Sequence, residues 1–377
     1  MTALSIAVVT ETHPPEVNGV AMTVGRLIEG LRGRGHRVSV LRPRQSREDR
    51  GGEGELLLAG LPLPGYAGLR FGLPAGGALA RVWRARRPDV VHVVTEGPLG
   101  WSAVAAARRL GLPVTSGYHT NFDRYSVHYG FGWLRPAVAA YLRSLHRRTR
   151  ATLVPTEALA ADLAGEGIPG VCVVGRGVDT QLFHPGRRDA VLREAWGVGE
   201  RDLACLYVGR LAPEKNLDLS CRAFDAIRAA RPRARMVWVG DGPAAARLKR
   251  ERPQDRFAGT RTGADLAAHY ASGDLFLFGS LSETYGNVVA EAMASGLAVA
   301  AYRSAAAAEL IADGFSGRCV PPGDEVAFVS AALGLAMDDD LRRANGRRAR
   351  LDMEARGWPA VVERFEGVLR QAARQTF

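Results

Sequence analysis

A strand–helix alternation that runs through the chain twice is the feature that most narrows its possible folds. Short β-branched and apolar runs occur at Ser5–Thr10, Arg37–Leu41, Asp89–Thr95, Pro113–Ser116, Ala151–Pro155 and Val171–Val174, with helical stretches such as Ala21–Arg32 and Ser102–Leu110 between them. The pattern repeats at Leu203–Val208, Arg235–Val239, Asp274–Phe278, Leu297–Ala301 and Arg318–Val320. Apolar strands joined by helices belong in parallel sheets covered on both faces. The expectation is therefore an α/β chain with two doubly wound domains facing a cleft, residues 1–180 and 181–357. The join falls near Gly175–Pro185, where the polar, glycine-containing GRGVDTQLFHP separates the two strand patterns. The last segment, 358–377, reads as an amphipathic helix with no place in the second sheet, and is expected to cross back to the first domain.

Composition removes several classes. A chain of 377 residues with 47% hydrophobic content has material for two cores and is not disordered. No apolar run reaches the ~20 residues of a bilayer span, because Arg135, Glu291 or Arg303 interrupts each candidate. The opening MTALSIAVVT lacks the basic flank and cleavage site of a secretory signal, so a cytoplasmic protein is expected. Cys172, Cys205, Cys221 and Cys319 are spaced too widely for a zinc pair or a disulfide framework.

The net charge of +11 is unevenly spread: residues 81–150 hold twelve arginines against Asp89, Glu96 and Asp123. Such a face suits an anionic membrane surface or an anionic ligand as well as RNA, and no nucleic-acid partner is expected. A helix around Leu134–Arg150 aligns Leu134, Val138, Tyr141, Leu142 and Leu145, which favours a core-facing over a membrane-docking reading. The apolar stretch Leu61–Pro74 is too rich in Gly and Pro for regular structure. Only Lys215 and Lys249 are lysines among the fifty cations.

The segment richest in chemistry is Ser280–Val299. Asn287 is expected to cap a helix that runs to about Ser295 and stops at Gly296. The amides of Tyr285, Gly286, Asn287 and Val288 then form an anion site at the helix amino terminus, flanked by the carboxylates of Glu283 and Glu291. A hydroxylated hexose, a diphosphate and a ribose need this layout; a plain capped helix with solvated glutamates is the bland alternative. Arg210 and Lys215, in YVGRLAPEKN, follow a strand and so reach the carboxyl edge of the second sheet. Gly19, in PPEVNGV, opens a helix where a phosphate could come close, although turns also need glycine. His119, in SGYHTNF, follows another strand and is as easily structural as functional.

Two motifs are decoys. VGDGPAAA fits a dinucleotide pattern but lies in the second βα unit of its domain, and Asp255 comes too soon to be its acidic partner. The acids of MDDD, Met337–Asp340, lie beyond the last strand and read as a helix start. Neither a metal nor a cofactor is expected.

Together, GRLAPEKN, the spaced glutamates of ETYGNVVAEAMASG, VGDGP, GVD with its trailing Phe183 and the early NGV resemble family-4 retaining glycosyltransferases of GT-B architecture. The resemblance runs from Ile6 to about Asp324. It implies transfer of a hexose from a nucleoside-diphosphate sugar, GDP-mannose or a UDP-hexose, to an acceptor hydroxyl without a metal. It also implies that Glu283 contacts the transferred sugar and Glu291 the ribose. Arg210 and Lys215 would hold the diphosphate, with Gly19 beside the distal phosphate and His119 near the sugar. The transfer would go by front-face substitution, the leaving phosphate taking the acceptor proton. TEGPLGW, YHTNF and GRGVD are similar to the branch whose mannosyl-, glucosyl-, sulfoquinovosyl- and glucuronosyltransferases act on lipids. That likeness implies a lipid or glycan acceptor and a peripheral place at the inner face of the cytoplasmic membrane. Where many members carry paired glycines, this chain reads SAAAAEL, Ser304–Leu310. A sugar-nucleotide epimerase of the same architecture, and a non-catalytic sugar-nucleotide binder with a basic RNA-facing surface, remain alternatives.

Overall fold

A computed structural model describes the chain apart from residues 1, 15, 17, 63–69, 119–134, 282, 284 and 375–377. It divides into two units, 1–176 with 358–377, and 177–357. The chain thus changes unit at Arg176/Gly177, a few residues before the position 180 read from the sequence.

In the first unit the strands are β1 (Ser5–Val9), β2 (Arg37–Pro43), β3 (Glu55–Leu58), β4 (Gly60–Pro62), β5 (Arg70–Gly72), β6 (Val90–Val93), β7 (Val114–Gly117), β8 (Ala151–Val154) and β9 (Val171–Val173). Among the described residues seven of them form a parallel sheet in the order β3-β2-β1-β6-β7-β8-β9. The two-residue period of a strand decides where its side chains go. Ile6 and Val8 join a core with Val24, Ile28 and Leu31 of the helix Gly19–Gly33 and with Val362, Phe365 and Leu369 of the last helix. Ala7 and Val9 join another on the opposite face, with Leu99 and Val104 of the helix Pro98–Arg109. Both faces of β1 are covered, so the strand is apolar from Ile6 to Val9.

The last helix, Trp358–Arg374, therefore belongs to the first unit. Its buried Glu366 is hydrogen-bonded by Arg370 at 2.6 Å, by His36 at 3.1 Å and by Arg34. Leu4 N–H donates to His36 Nδ1 at 3.0 Å, so the His36 proton sits on Nε2 and a neutral imidazole suffices. Burial would raise the Glu366 carboxyl, but these donors together outweigh it and hold it at about 2. The stability this carboxylate contributes is present above the ordinary carboxylate pKa and lost as pH falls toward 2.

The ends of the stretch 61–74 are not irregular: β4 and β5 pair antiparallel, and Arg70 closes the hairpin by donating to Gly60 O at 2.7 Å. Backbone pairing plus one arginine overrides the poor strand propensity of Gly and Pro there; residues 63–69 lie outside the described set. The helix Arg135–His146 turns Leu142 and Leu145 into the core and half-buries Val138, as its periodicity implied, but Tyr141 is 37% exposed and donates its hydroxyl to Glu96 O at 2.7 Å; Leu134 lies outside the described residues.

The second unit holds β10 (Ala204–Val208), β11 (Arg235–Val239), β12 (Arg256–Gly259), β13 (Leu275–Phe278), β14 (Ala298–Tyr302) and β15 (Arg318–Val320). They form a six-stranded parallel sheet in the order β12-β11-β10-β13-β14-β15. The loops after β10 and β11 pack backbone to backbone: Leu211 N–H donates to Asp241 O at 2.9 Å and Ala244 N–H to Leu211 O at 2.9 Å. At Gly240, with φ of 135°, a Cβ would sit 2.0 Å from Gly209 O. The glycines of VGDGP are accounted for by this loop-on-loop contact. Asp255 likewise spends its carboxylate on Trp238 Nε1 at 2.9 Å and Arg252 at 2.7 Å. Asp338 of MDDD caps the helix Asp339–Glu354 through Leu341 N–H at 2.9 Å.

Gly240→Ala should therefore cost at least about 2 kcal/mol in denaturant unfolding, since backbone must move. Gly334→Ala, in a helix interior where an added Cβ meets nothing within 4 Å, should instead gain about 0.5–1 kcal/mol. Equal effects would contradict the loop-packing account.

Candidate functional site

In the second sheet the strand order reverses between β10 and β13. Connections leave two such strands in opposite directions, so a crevice opens outside their carboxyl ends. Arg210 and Lys215 follow β10, and Glu283 follows β13. Asn216, held at φ 51°, ties the two loops together by donating from Nδ2 to Gly279 O at 3.2 Å. Lys215 Nζ lies 2.5 Å from Glu283 Oε1, and Ser280 Oγ donates to the same oxygen at 2.8 Å. Each side chain of that ion pair is only 13% exposed. Arg210 Nη1 lies 3.6 Å from Glu214, which is buried. Two cations and two carboxylates thus share the edge of the strand reversal, and the pairing of Lys215 with Glu283 was not readable from sequence.

The helix after β13 is Asn287–Ala294, and its N-cap is Gly286, at φ 88°. Asn287 is thus the first helical residue and not the cap, a correction to the sequence reading. Glycine enters the left-handed turn without a Cβ penalty, so the cap falls on Gly286 and the helix starts one residue earlier than expected. Tyr285 is buried, its carbonyl accepting from Ala306 N–H at 2.8 Å. The amides of Asn287 and Val288 lie at the amino end, while Val289 N–H donates to Gly286 O at 3.0 Å. Glu291 accepts from Tyr270 Oη at 2.9 Å. Burial raises its carboxyl to about 7, against the lowering effect of that hydrogen bond. Tyr270, on the helix Gly263–Ser272, reads in sequence as one more core aromatic, so nothing there marks it as a partner of Glu291. In SAAAAEL, Ala305 takes φ 47°, so the backbone keeps a turn that favours glycine while the side chain is alanine.

In the first unit, Gly19 is exposed and opens its helix as expected. Asn18 caps it, accepting from Val20 N–H at 3.1 Å and Ala21 N–H at 2.8 Å. His119 lies outside the described residues. The first sheet reverses between β1 and β6, and their following loops bring in two acids missed by the sequence reading. Glu11 accepts from Leu99 N–H at 3.1 Å and is pushed up to about 7, chiefly by burial. Buried Glu96 lies 3.7 Å from His146 Nε2, whose Nδ1 is 2.9 Å from Ser116 Oγ. That row resembles a hydrolytic triad, but Ser116 is fully buried and out of a substrate's reach. Glu96 stands in the quoted TEGPLGW, yet only the fold brings His146 beside it. Among the described residues no three His, Cys, Asp or Glu side chains are grouped to hold a metal ion, and no helix is long and apolar enough to cross a membrane.

The chain is similar to known proteins in both halves. Residues 17–182 match the Glycosyltransferase Family 4 domain and residues 202–338 the Glycosyl transferases group 1 domain. The chain is 36% identical over 375 residues to a GDP-mannose-dependent alpha-mannosyltransferase of Mycobacterium tuberculosis, covering 97% of this chain and 96% of that one. It is 27% identical to an alpha-monoglucosyldiacylglycerol synthase of Streptococcus pneumoniae, over 83% of this chain and 74% of that one. Sucrose-phosphate synthase from Thermosynechococcus elongatus superposes with a TM-score of 0.77 at 18% identity, over 97% of this chain and 98% of that one. Matching domains in both halves, two doubly wound sheets and a relative alike over its full length make this chain a member of glycosyltransferase family 4, a GT-B enzyme that uses a nucleotide sugar.

Proposed function

We propose that this enzyme is a retaining, metal-independent α-mannosyltransferase that moves mannose from GDP-mannose to a hydroxyl of a membrane glycerolipid or an envelope glycan. The observation that carries the reading is the Lys215–Glu283 contact of 2.5 Å, close to Arg210 at the strand reversal. Breaking the anomeric C–O bond leaves about two to three negative charges on the departing nucleotide, which fixed donors must meet. Arg210, Lys215 and the amides from Tyr285 to Val288 are the donors, each charge-assisted contact being worth roughly 1.5–3 kcal/mol. Without donor substrate, Glu283 neutralises Lys215. When the diphosphate arrives, Lys215 turns to phosphate and Glu283 to the sugar hydroxyls, so neither charge is left unpaired in a half-buried place.

The family resemblance assigns Glu291 to the ribose, Gly19 to the distal phosphate and His119 to the sugar. The acceptor oxygen bonds to the anomeric carbon on the face the phosphate leaves, and its proton passes to the departing phosphate oxygen. The likeness to a GDP-mannose-dependent enzyme supports the donor. The likeness to a monoglucosyldiacylglycerol synthase, and the twelve arginines in residues 81–150, support a lipid acceptor at an anionic surface, reached from the cytoplasm.

Lys215→Ala and Glu283→Ala should each lower turnover of GDP-mannose by at least about 100-fold. Turnover within twofold of wild type would contradict the assignment, and release of a free altered sugar without acceptor would mark an epimerase instead. Glu291 makes a separate prediction about pH. With a native pKa of about 7, the folded state keeps a proton that the unfolded chain gives up near the ordinary carboxylate pKa. Wild type therefore loses stability as pH rises through that window. Melting curves of unliganded protein should show Glu291→Gln gaining on wild type from pH 5 to 8; a constant difference would refute the buried-acid reading. For the surface, co-sedimentation with anionic vesicles should be seen at low salt and reversed at high salt. Absence of binding at low salt removes the membrane part of the proposal.

A further inference from the structure

The loops after β1 and β6 flank the strand reversal of the first sheet, the place where an open α/β sheet takes a ligand. Glu11 stitches them together. Its N–H donates to Thr95 Oγ1 at 2.9 Å, and its Oε1 accepts from Leu99 N–H at 3.1 Å. Gly97 makes that possible, because a Cβ there would overlap both carboxyl oxygens of Glu11. Gly100 lets the same loop close, since its Cβ would strike Thr95 O. These two glycines of TEGPLGW thus seat a side chain that arrives from another loop.

A capping role explains part of this. The N-cap of the helix Pro98–Arg109 is Gly97, which has no side chain to offer. Yet a serine or aspartate at that position would cap the helix without a second loop, and a capping acid serves best when ionised. Glu11 is the reverse: burial, with a smaller contribution from Glu96, pushes its carboxyl up to about 7 against the pull of the amides. Glu96 is 2% exposed, and neither of its carboxyl oxygens has a hydrogen-bond partner. The same holds for His146 Nε2, 3.7 Å away. Buried polar atoms left unpaired call for a ligand or a chemical role. Tyr141 reaches the same spot, its Oη donating to Glu96 O at 2.7 Å with the charges of Glu11 and Glu96 acting on it. Glu11 and Tyr141 are partly exposed and form the outer layer; Glu96 and His146 lie beneath.

A carboxyl that keeps its proton offers a donor and acceptors together, which is what a sugar or glycerol hydroxyl needs. A phosphate offers acceptors and calls for cations. Among the described residues the ion pairs of these two acids come to one, Glu96 with His146.

We propose that Glu11, seated by Gly97 beside Glu96 and Tyr141, contacts a hydroxyl of an uncharged polyol head group, the glycerol or hexose end of the acceptor. The inference rests on the reading of the acceptor as a hydroxyl compound. The test titrates the full chain calorimetrically, without nucleotide, at about pH 6, where Glu11 keeps its proton. The probes are octyl α-glucoside, monooctanoylglycerol and octyl phosphate, each below its micelle concentration. Glu11→Ala should weaken at least one uncharged probe about tenfold or more and leave octyl phosphate within twofold. Glu11→Gln, which is neutral and still both donates and accepts, should stay within about threefold of wild type. In turnover, Glu11→Ala should raise the acceptor KM more than it lowers kcat.

Equal loss of all three probes would reduce Glu11 to a helix cap. Loss of none, loss of octyl phosphate alone, or failure of wild type to bind either uncharged probe would also overturn the proposal. If transfer from GDP-mannose occurs and Glu11→Ala leaves the acceptor KM unchanged, this inference fails alone. If wild type binds an uncharged probe through Glu11 but transfers no mannose, the proposed activity fails and the polyol site stands. Should Glu11→Ala fail to fold, Glu11→Asp, whose carboxyl is one methylene shorter, carries the same comparison of uncharged with phosphorylated probes.

Discussion

The reversal of strand order between β10 and β13 is the constraint on which the rest of the second unit depends. It fixes which two loops share a crevice, and so which side chains can meet. One loop brings a cation and the other a carboxylate, and in the unliganded chain they neutralise each other at 2.5 Å. A half-buried ion pair of this kind gains little net stability, because desolvation offsets most of the attraction. Its value on the proposed reading lies in exchange: each partner has a substrate group of the right character waiting, a phosphate for Lys215 and hydroxyls for Glu283.

Strain gathers around the same crevice. Asn216 and Ala305 are non-glycine residues held at positive φ, at 51° and 47°. Such conformations cost on the order of 1 kcal/mol or more and persist only where neighbours over-determine them. Asn216 is held by its bond to Gly279 O, and Ala306, next to Ala305, by its bond to Tyr285 O. In SAAAAEL an alanine thus holds a left-handed turn that favours glycine, and the neighbouring backbone bond keeps it there.

Much of the fold was legible because parallel strands buried on both faces are apolar wherever they are covered, as Ile6–Val9, β10 and β13 are. The chain-terminal helix was legible from its single apolar face. β12 was missed because RFAG is short, begins with a charge and is only half-buried. The hairpin of β4 and β5 was missed because its residues disfavour strands and only pairing makes them one. In the candidate site, residue types and spacing pointed to Arg210, Lys215, Glu283 and Glu291, since each belongs to a local motif. Tyr270 and the pair Glu96 and His146 were not legible: each meets a partner well off in sequence, chosen by the fold. The capping role given to Asn287 failed for a local reason, a left-handed glycine one residue earlier.

The central claim is that the diphosphate displaces Glu283 from Lys215 at the strand reversal. A crystal structure of this chain soaked with GDP tests it most directly. The account predicts phosphate oxygens within hydrogen-bonding distance of Lys215 and Arg210, with the Lys215–Glu283 contact opened. A nucleotide bound elsewhere, or one that leaves that ion pair closed at its present 2.5 Å, would contradict it.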